Sequence, residues 1–116
     1  MILGFTGNRF IDFKALKYVE SEVIKIIKRY NPDKCISGMA LGFDTIVAKS
    51  CIDLNIDLIS AIPFIGQESV WNDTQKKIYD ELLSKAKEKI IVSEGGYSVQ
   101  KMYDRNIVRL LFILLF

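Results

Sequence analysis

The stretch that decides the fold is Lys34-Cys35-Ile36-Ser37-Gly38-Met39-Ala40-Leu41-Gly42-Phe43-Asp44. Lys34 to Ser37 has the length and apolar character of a buried strand. Two glycines frame a loop of small residues, and helical spacing runs on from about Phe43 to Asp53. A strand that turns through small residues into a helix is half of a strand-helix-strand unit, so the chain on either side should supply further strands and helices.

It does so in both directions. Upstream, the apolar run Met1 to Phe5 ends in Thr6-Gly7-Asn8-Arg9, and Phe13, Leu16, Val19, Val23, Ile26, Ile27 and Tyr30 then fall at spacings of three and four. That stripe predicts an amphipathic helix with Asp12 as its N-cap and Asn31-Pro32 as its stop. Downstream, a third strand is expected near Leu58 to Ile62, stopping at Pro63, and a loop containing Gly66 leads to a helix from near Ser69. Val70, Trp71, Ile78, Leu82, Leu83 and Ala86 mark the buried side of that helix, although Asn72 to Lys77 is polar. A fourth strand at Lys89 to Val92, the break Gly95-Gly96 and a last helix from about Ser98 complete the order βαβαβαβα. This alternation is the pattern of an α/β domain with a mainly parallel sheet of four to five strands. Right-handed crossovers bring the loops after the strands to one edge, where ligands of such folds lie in the crevice at which the winding reverses. Gly7, Gly38, Gly42, Gly66, Gly95 and Gly96 all belong to that edge.

The composition bounds the chemistry. With 116 residues, half of them hydrophobic and 26% charged, the chain reads as one globular domain over residues 1–116. Sixteen basic against fourteen acidic residues leave a net charge of +2, too weak a field to imply nucleic acid or anionic lipid. No histidine is present, which removes Ser-His-Asp and Cys-His catalysis and imidazole-bound zinc, and no metal site is expected. Cys35 and Cys51 read as reduced, buried side chains of a cytoplasmic protein, with a catalytic thiol as the lesser alternative. No basic region precedes the N-terminal apolar run, so no export signal is expected. The run from Leu110 to Phe116 is seven apolar residues, far short of the roughly twenty that span a bilayer.

Two loops carry the candidate site. In the first, Thr6 offers a hydroxyl, Gly7 bare backbone and Arg9 a guanidinium, the parts wanted for a phosphate; a tight turn with an exposed arginine accounts for them equally well. In the second, Ser37, Gly38, Met39, Ala40 and Gly42 would bare backbone N–H groups at a helix N-terminus, which carries about half a positive charge. Asp44 reads as the N-cap or as an acceptor for a sugar hydroxyl. Phe64 and Trp71 have the ring faces to stack on a base, with core packing favoured for Trp71. Gly95-Gly96 reads as a phosphate loop or a simple turn. The lysines at 76, 77, 85, 87 and 89, interleaved by Glu81 and Glu88, read as a solvated face.

The pair Gly4-Phe5-Thr6-Gly7-Asn8-Arg9 and Ser37-Gly38-Met39-Ala40-Leu41-Gly42-Phe43-Asp44, about thirty residues apart as one strand-helix-strand unit requires, resembles the SLOG superfamily. This Rossmann-like group includes the DNA-processing protein A (Smf/DprA), the cytokinin-activating lonely-guy (LOG) proteins and the YpsA-like proteins. Ile62-Pro63-Phe64, Gln67 and Trp71 look most like the YpsA-like branch, and the likeness covers roughly residues 1–109. The resemblance implies a three-layer αβα domain holding a nucleotide or nucleotide-derived phosphate ligand on Thr6, Gly7, Arg9, Ser37, Gly38, Ala40 and Gly42. Arg105, within Val99 to Asn106, matches the arginine that lonely-guy enzymes present from a helix. Their Pro-Gly-Gly-x-Gly-Thr loop and catalytic glutamate do not occur in these residues, and Glu94 does not occupy that glutamate's position. The expectation is therefore a sensor or sequestering protein that binds without turnover and uses no cofactor. The alternatives are a nucleoside-monophosphate phosphoribohydrolase acting through Arg105 and Glu94, a single-stranded nucleic-acid binder, and a remnant that keeps only the fold. For the apolar tail a fifth strand, a truncated ending and a homodimer contact all come into question, and the dimer is preferred.

Overall fold

The computed structural model describes residues 1–5, 7 and 10–93, and it is an α/β domain with a four-stranded all-parallel sheet and three α-helices. The elements are β1 (Ile2–Gly4), a 3-10 turn (Phe13–Ala15), α1 (Leu16–Tyr30), β2 (Lys34–Ser37), α2 (Phe43–Asp53), β3 (Asp57–Phe64), α3 (Asp73–Ser84) and β4 (Glu88–Ser93). The arrangement is compatible with a Rossmann-like three-layer αβα fold. The last helix expected from Ser98, the Gly95-Gly96 break and the apolar tail lie outside the described residues.

Strand order is β1-β2-β3-β4, with Leu3 beside Cys35, Cys35 beside Leu58 and Ser60 beside Lys89. Each crossover thus steps one strand over in the same direction. The winding does not reverse among the described strands, so the expected switch-point crevice is not formed by them. Uniform stepping with right-handed crossovers puts successive helices on one face. Accordingly Val23 and Ile27 of α1, Val47, Ala48 and Cys51 of α2, and Tyr79 and Leu82 of α3 share one cluster with Cys35 and Leu58 of the sheet. The alternate strand residues Ile36, Ile59 and Ala61 form a second cluster on the other face, with Ile2 and Ile90 packed against it. Both faces are therefore apolar, as the period of two in a parallel sheet requires.

Local chemistry explains the helix limits and the departures from the expected ones. Asp12 accepts a hydrogen bond from the Lys14 backbone N–H at 2.9 Å, capping the 3-10 turn ahead of α1. That turn advances by three residues rather than 3.6, so Phe13 falls out of phase with the helical stripe and is 84% exposed. Tyr30 and Ile26 are also exposed, and the buried seam of α1 narrows to Val23 and Ile27. Fully burying each is worth about 1.5–3 kcal/mol, more than the roughly 1 kcal/mol of a typical cap, so packing rather than capping holds α1 in place. Asn31 ends α1 in the left-handed conformation at φ 44°, its N–H donating to the Ile27 carbonyl, and Pro32 prevents continuation.

β3 does not stop before Pro63 but runs through it to Phe64. The β2 ladder ends at the Ser37–Ser60 pair, so Pro63 lies beyond it and its missing N–H removes no bond there. α3 begins at Asp73, not near Ser69; residues 65–70 are turns. The polar stretch is its capping box: Asn72 accepts from the Gln75 N–H at 2.8 Å, and the Gln75 side chain accepts from the Asn72 N–H at 3.1 Å. With the start moved, Val70 is 87% exposed and Ile78 is partly exposed, while Tyr79 and Leu82 face the core.

Candidate functional site at the carboxyl edge

The loop between β2 and α2 is held by its own hydrogen bonds. The Ser37 hydroxyl donates to the Asp44 carbonyl at 2.8 Å and accepts from the Met39 N–H at 3.1 Å, both buried. Thr45 Oγ1 donates to the Ala40 carbonyl at 2.8 Å, and Gln67 Nε2 reaches the Gly38 carbonyl at 3.3 Å. Ser37, Met39 and Ala40 are all buried, so of the residues expected to present groups to a ligand, Ser37 and the Met39 N–H serve the loop itself. Met39 stands at φ 60°, a conformation disfavoured for a side-chain-bearing residue by about 1–2 kcal/mol. Its side chain, 2% exposed, is packed into the core beside α2 and α3, and that burial more than offsets the strain.

The two loops meet. A Cβ on Gly7 would fall within 3.0 Å of Phe43 Cβ and closer still to its ring, so Gly7 is bare because Phe43 occupies the space. Phe43 also meets Phe5 edge-on, with centroids 6.1 Å apart at 60°. Gly7 and Phe5 are thereby set against the first residue of α2. Thr6, Arg9, Glu94, Gly95 and Arg105 lie outside the described residues.

Gly42, at φ 76°, is the N-cap residue of α2 and, being glycine, has no side chain with which to cap it. Its carbonyl accepts from the Ile46 N–H at 3.2 Å, closing the first helical bond at the carboxyl edge of the sheet. Asp44 is not the N-cap: it lies within the first turn, is 5% exposed, and its carbonyl is the acceptor for Ser37. The physical reason is that only glycine takes the Gly42 backbone conformation without strain, which sets the helix start two residues earlier.

Phe64 and Trp71 are both buried, and Trp71 meets Tyr79 edge-to-face at 5.4 Å and 88°, which is the arrangement of core packing. Gln67 is the connection the sequence reading gave no role: besides Gly38 it hydrogen-bonds the Tyr79 hydroxyl, opposing the rise in that group's pKa that burial causes. A lone glutamine in a loop carries no local signal of such a bridge. Cys35 and Cys51 are fully buried neighbours in the core; the hydrogen bond to Cys35, together with burial, pushes the Cys51 thiol up, so it stays protonated and unreactive. The opposite edge carries ion pairs: the Met1 ammonium with Asp33 at 2.7 Å, and Lys34 with Glu88 at 2.7 Å.

No protein-family model matches the chain, and no curated protein matches it. Among the described residues no helix is long and apolar enough to cross a membrane.

Proposed function

We propose that this domain binds a nucleotide or nucleotide-derived phosphate ligand at the carboxyl edge of the sheet, over the N-terminus of α2, without turning it over. The observation that carries this reading is the start of α2, whose N-cap is a glycine and so puts no side chain over the helix end. Such an end supplies donors and about half a positive charge to an anion. The contact of Gly7 with Phe43 supports it by setting Gly7, one of the two loops' glycines, against the same helix end. The likeness of the two loops to the SLOG superfamily supports a nucleotide as the anion's carrier.

The test is titration calorimetry with AMP, ADP, cyclic mononucleotides, ADP-ribose and inorganic phosphate. Saturable binding that weakens with salt is expected, with Gly38→Val and Arg9→Ala each weakening it while the melting profile stays cooperative. Absence of binding by every compound overturns the reading. Release of free base from AMP would replace it with hydrolysis.

A further inference from the structure

A second feature lies in the helical layer, on the inner side of the β2–α2 loop. Between α2 and α3, beside the first turn of α1, is a cavity of about 220 Å³. Leu16, Met39, Ile46, Trp71, Tyr79 and Leu82 form most of its wall. Four of its lining side chains carry polar atoms: Thr45 Oγ1 donates to the Ala40 carbonyl, the Gln75 carbonyl accepts from the Asn72 N–H, the Tyr79 hydroxyl is hydrogen-bonded by Gln67, and the buried Trp71 indole N–H has no partner among the described residues.

We propose that this cavity is a binding site for a neutral aromatic molecule of one or two rings. Water gains little there, because a buried water needs two to four polar partners and this largely apolar wall offers chiefly the Trp71 N–H. A charged guest would lose its hydration and meet no opposite charge, since no charged residue lines the wall. Size sets the rest of the class. An apolar cavity of about 150 Å³ in another protein takes benzene, so the larger space here admits a substituted or a fused ring. Shape favours a flat guest over a branched one: Trp71 and Tyr79 already stand edge-to-face at 88°, and a third ring extends that packing. Ile78, 43% exposed, stands at the rim, where a small side-chain movement admits the guest. Because Met39 lines the cavity and also carries the strained backbone of the β2–α2 loop, an occupant would brace that loop from below.

The chain's single tryptophan lines the site and reports on it. The experiment titrates the whole chain with iodobenzene, whose heavy atom quenches tryptophan emission on contact, then adds toluene as a non-quenching competitor. Saturable quenching that toluene relieves is expected, with 4-iodobenzoate at least tenfold weaker. Ile46→Phe, which fills the space, should raise the iodobenzene midpoint tenfold or more; Ile78→Phe at the exposed rim provides the same test should Ile46→Phe fail to give a native circular-dichroism spectrum. Quenching that rises linearly without saturation, equal response to the benzoate, or an unchanged midpoint in a folded filling variant overturns the proposal. None of these outcomes depends on whether phosphate binds at α2.

Discussion

The ring of Phe43 occupies the place that a side chain on Gly7 would need, and this contact joins the end of β1 to the start of α2. Adding one methyl group there forces Phe43 against Phe5 or shifts the loop backbone. Gly7→Ala should therefore lower stability by about 1–3 kcal/mol in urea denaturation, the usual cost of overpacking. Shortening the neighbour tests the cause: in a Phe43→Leu background the same substitution should cost distinctly less. Equal costs in both backgrounds would show that the ring is not the obstacle.

Ser37 serves two partners, the Asp44 carbonyl and the Met39 N–H, both buried. Ser37→Ala strands the Met39 N–H away from water and removes one donor from the Asp44 carbonyl, and the expected loss is about 1–3 kcal/mol by denaturation. Hydrogen exchange should show where the loss falls: the Met39 amide should lose protection in the variant, while amides within β3 should change only by the global loss of stability.

The α3 capping box can be tested by itself, because Asn72 is exposed and its bonds are local. Asn72→Ala should cost about 0.5–2 kcal/mol, and Asn72→Asp should retain most of the stability, since aspartate caps as well and also suits the helix N-terminus. A loss in Asn72→Asp as large as in Asn72→Ala would refute the cap assignment.

The Lys34–Glu88 pair ties the start of β2 to the start of β4 across β3. The hydrogen bond and the charge of Glu88 hold the Lys34 pKa above its ordinary value of 10.5. A raised folded-state pKa contributes stability that is fully present below the unfolded value and is lost as pH rises through the folded one. The difference in melting temperature between wild type and Lys34→Met should thus be constant from pH 7 to about 9 and shrink above about 10.5. Both partners are partly exposed, so the difference should be small and should fall with added salt.

How much of this was legible in the sequence varies with how local the cause is. β2 and α2 have the limits their residues suggest, because Gly38 and Gly42 punctuate the chain where the backbone turns. Asn31 and Pro32 act at the end of α1 for the same local reason, whereas Asp12 caps the 3-10 turn and not α1, whose N-cap is Ala15. β3 outran its expected end because a proline interrupts a strand only where a neighbouring ladder needs its N–H, and β2 had already ended. Phe13 was misjudged because a 3-10 turn shifted the phase ahead of α1, and Val70 because the capping box at Asn72 was hidden in a polar run. Uniform winding, the Gly7–Phe43 contact and the cavity depend on how three helices settle on one face, which no single stretch of residues encodes. At the candidate site the glycine loops were recognisable, but the division of their polar groups between the fold and a visitor was not.

β3 continues for four residues past its last partner in β2, so the carboxyl rim of the sheet is a ledge with a step. At roughly 3.3 Å per residue the step is about 13 Å high. The β2–α2 loop occupies the lower tread: Met39 and Ala40 are buried there, and Gln67, just past the end of β3, reaches the Gly38 carbonyl. The overhang of β3 is thus a buttress that fixes a short loop's height without any ladder between them.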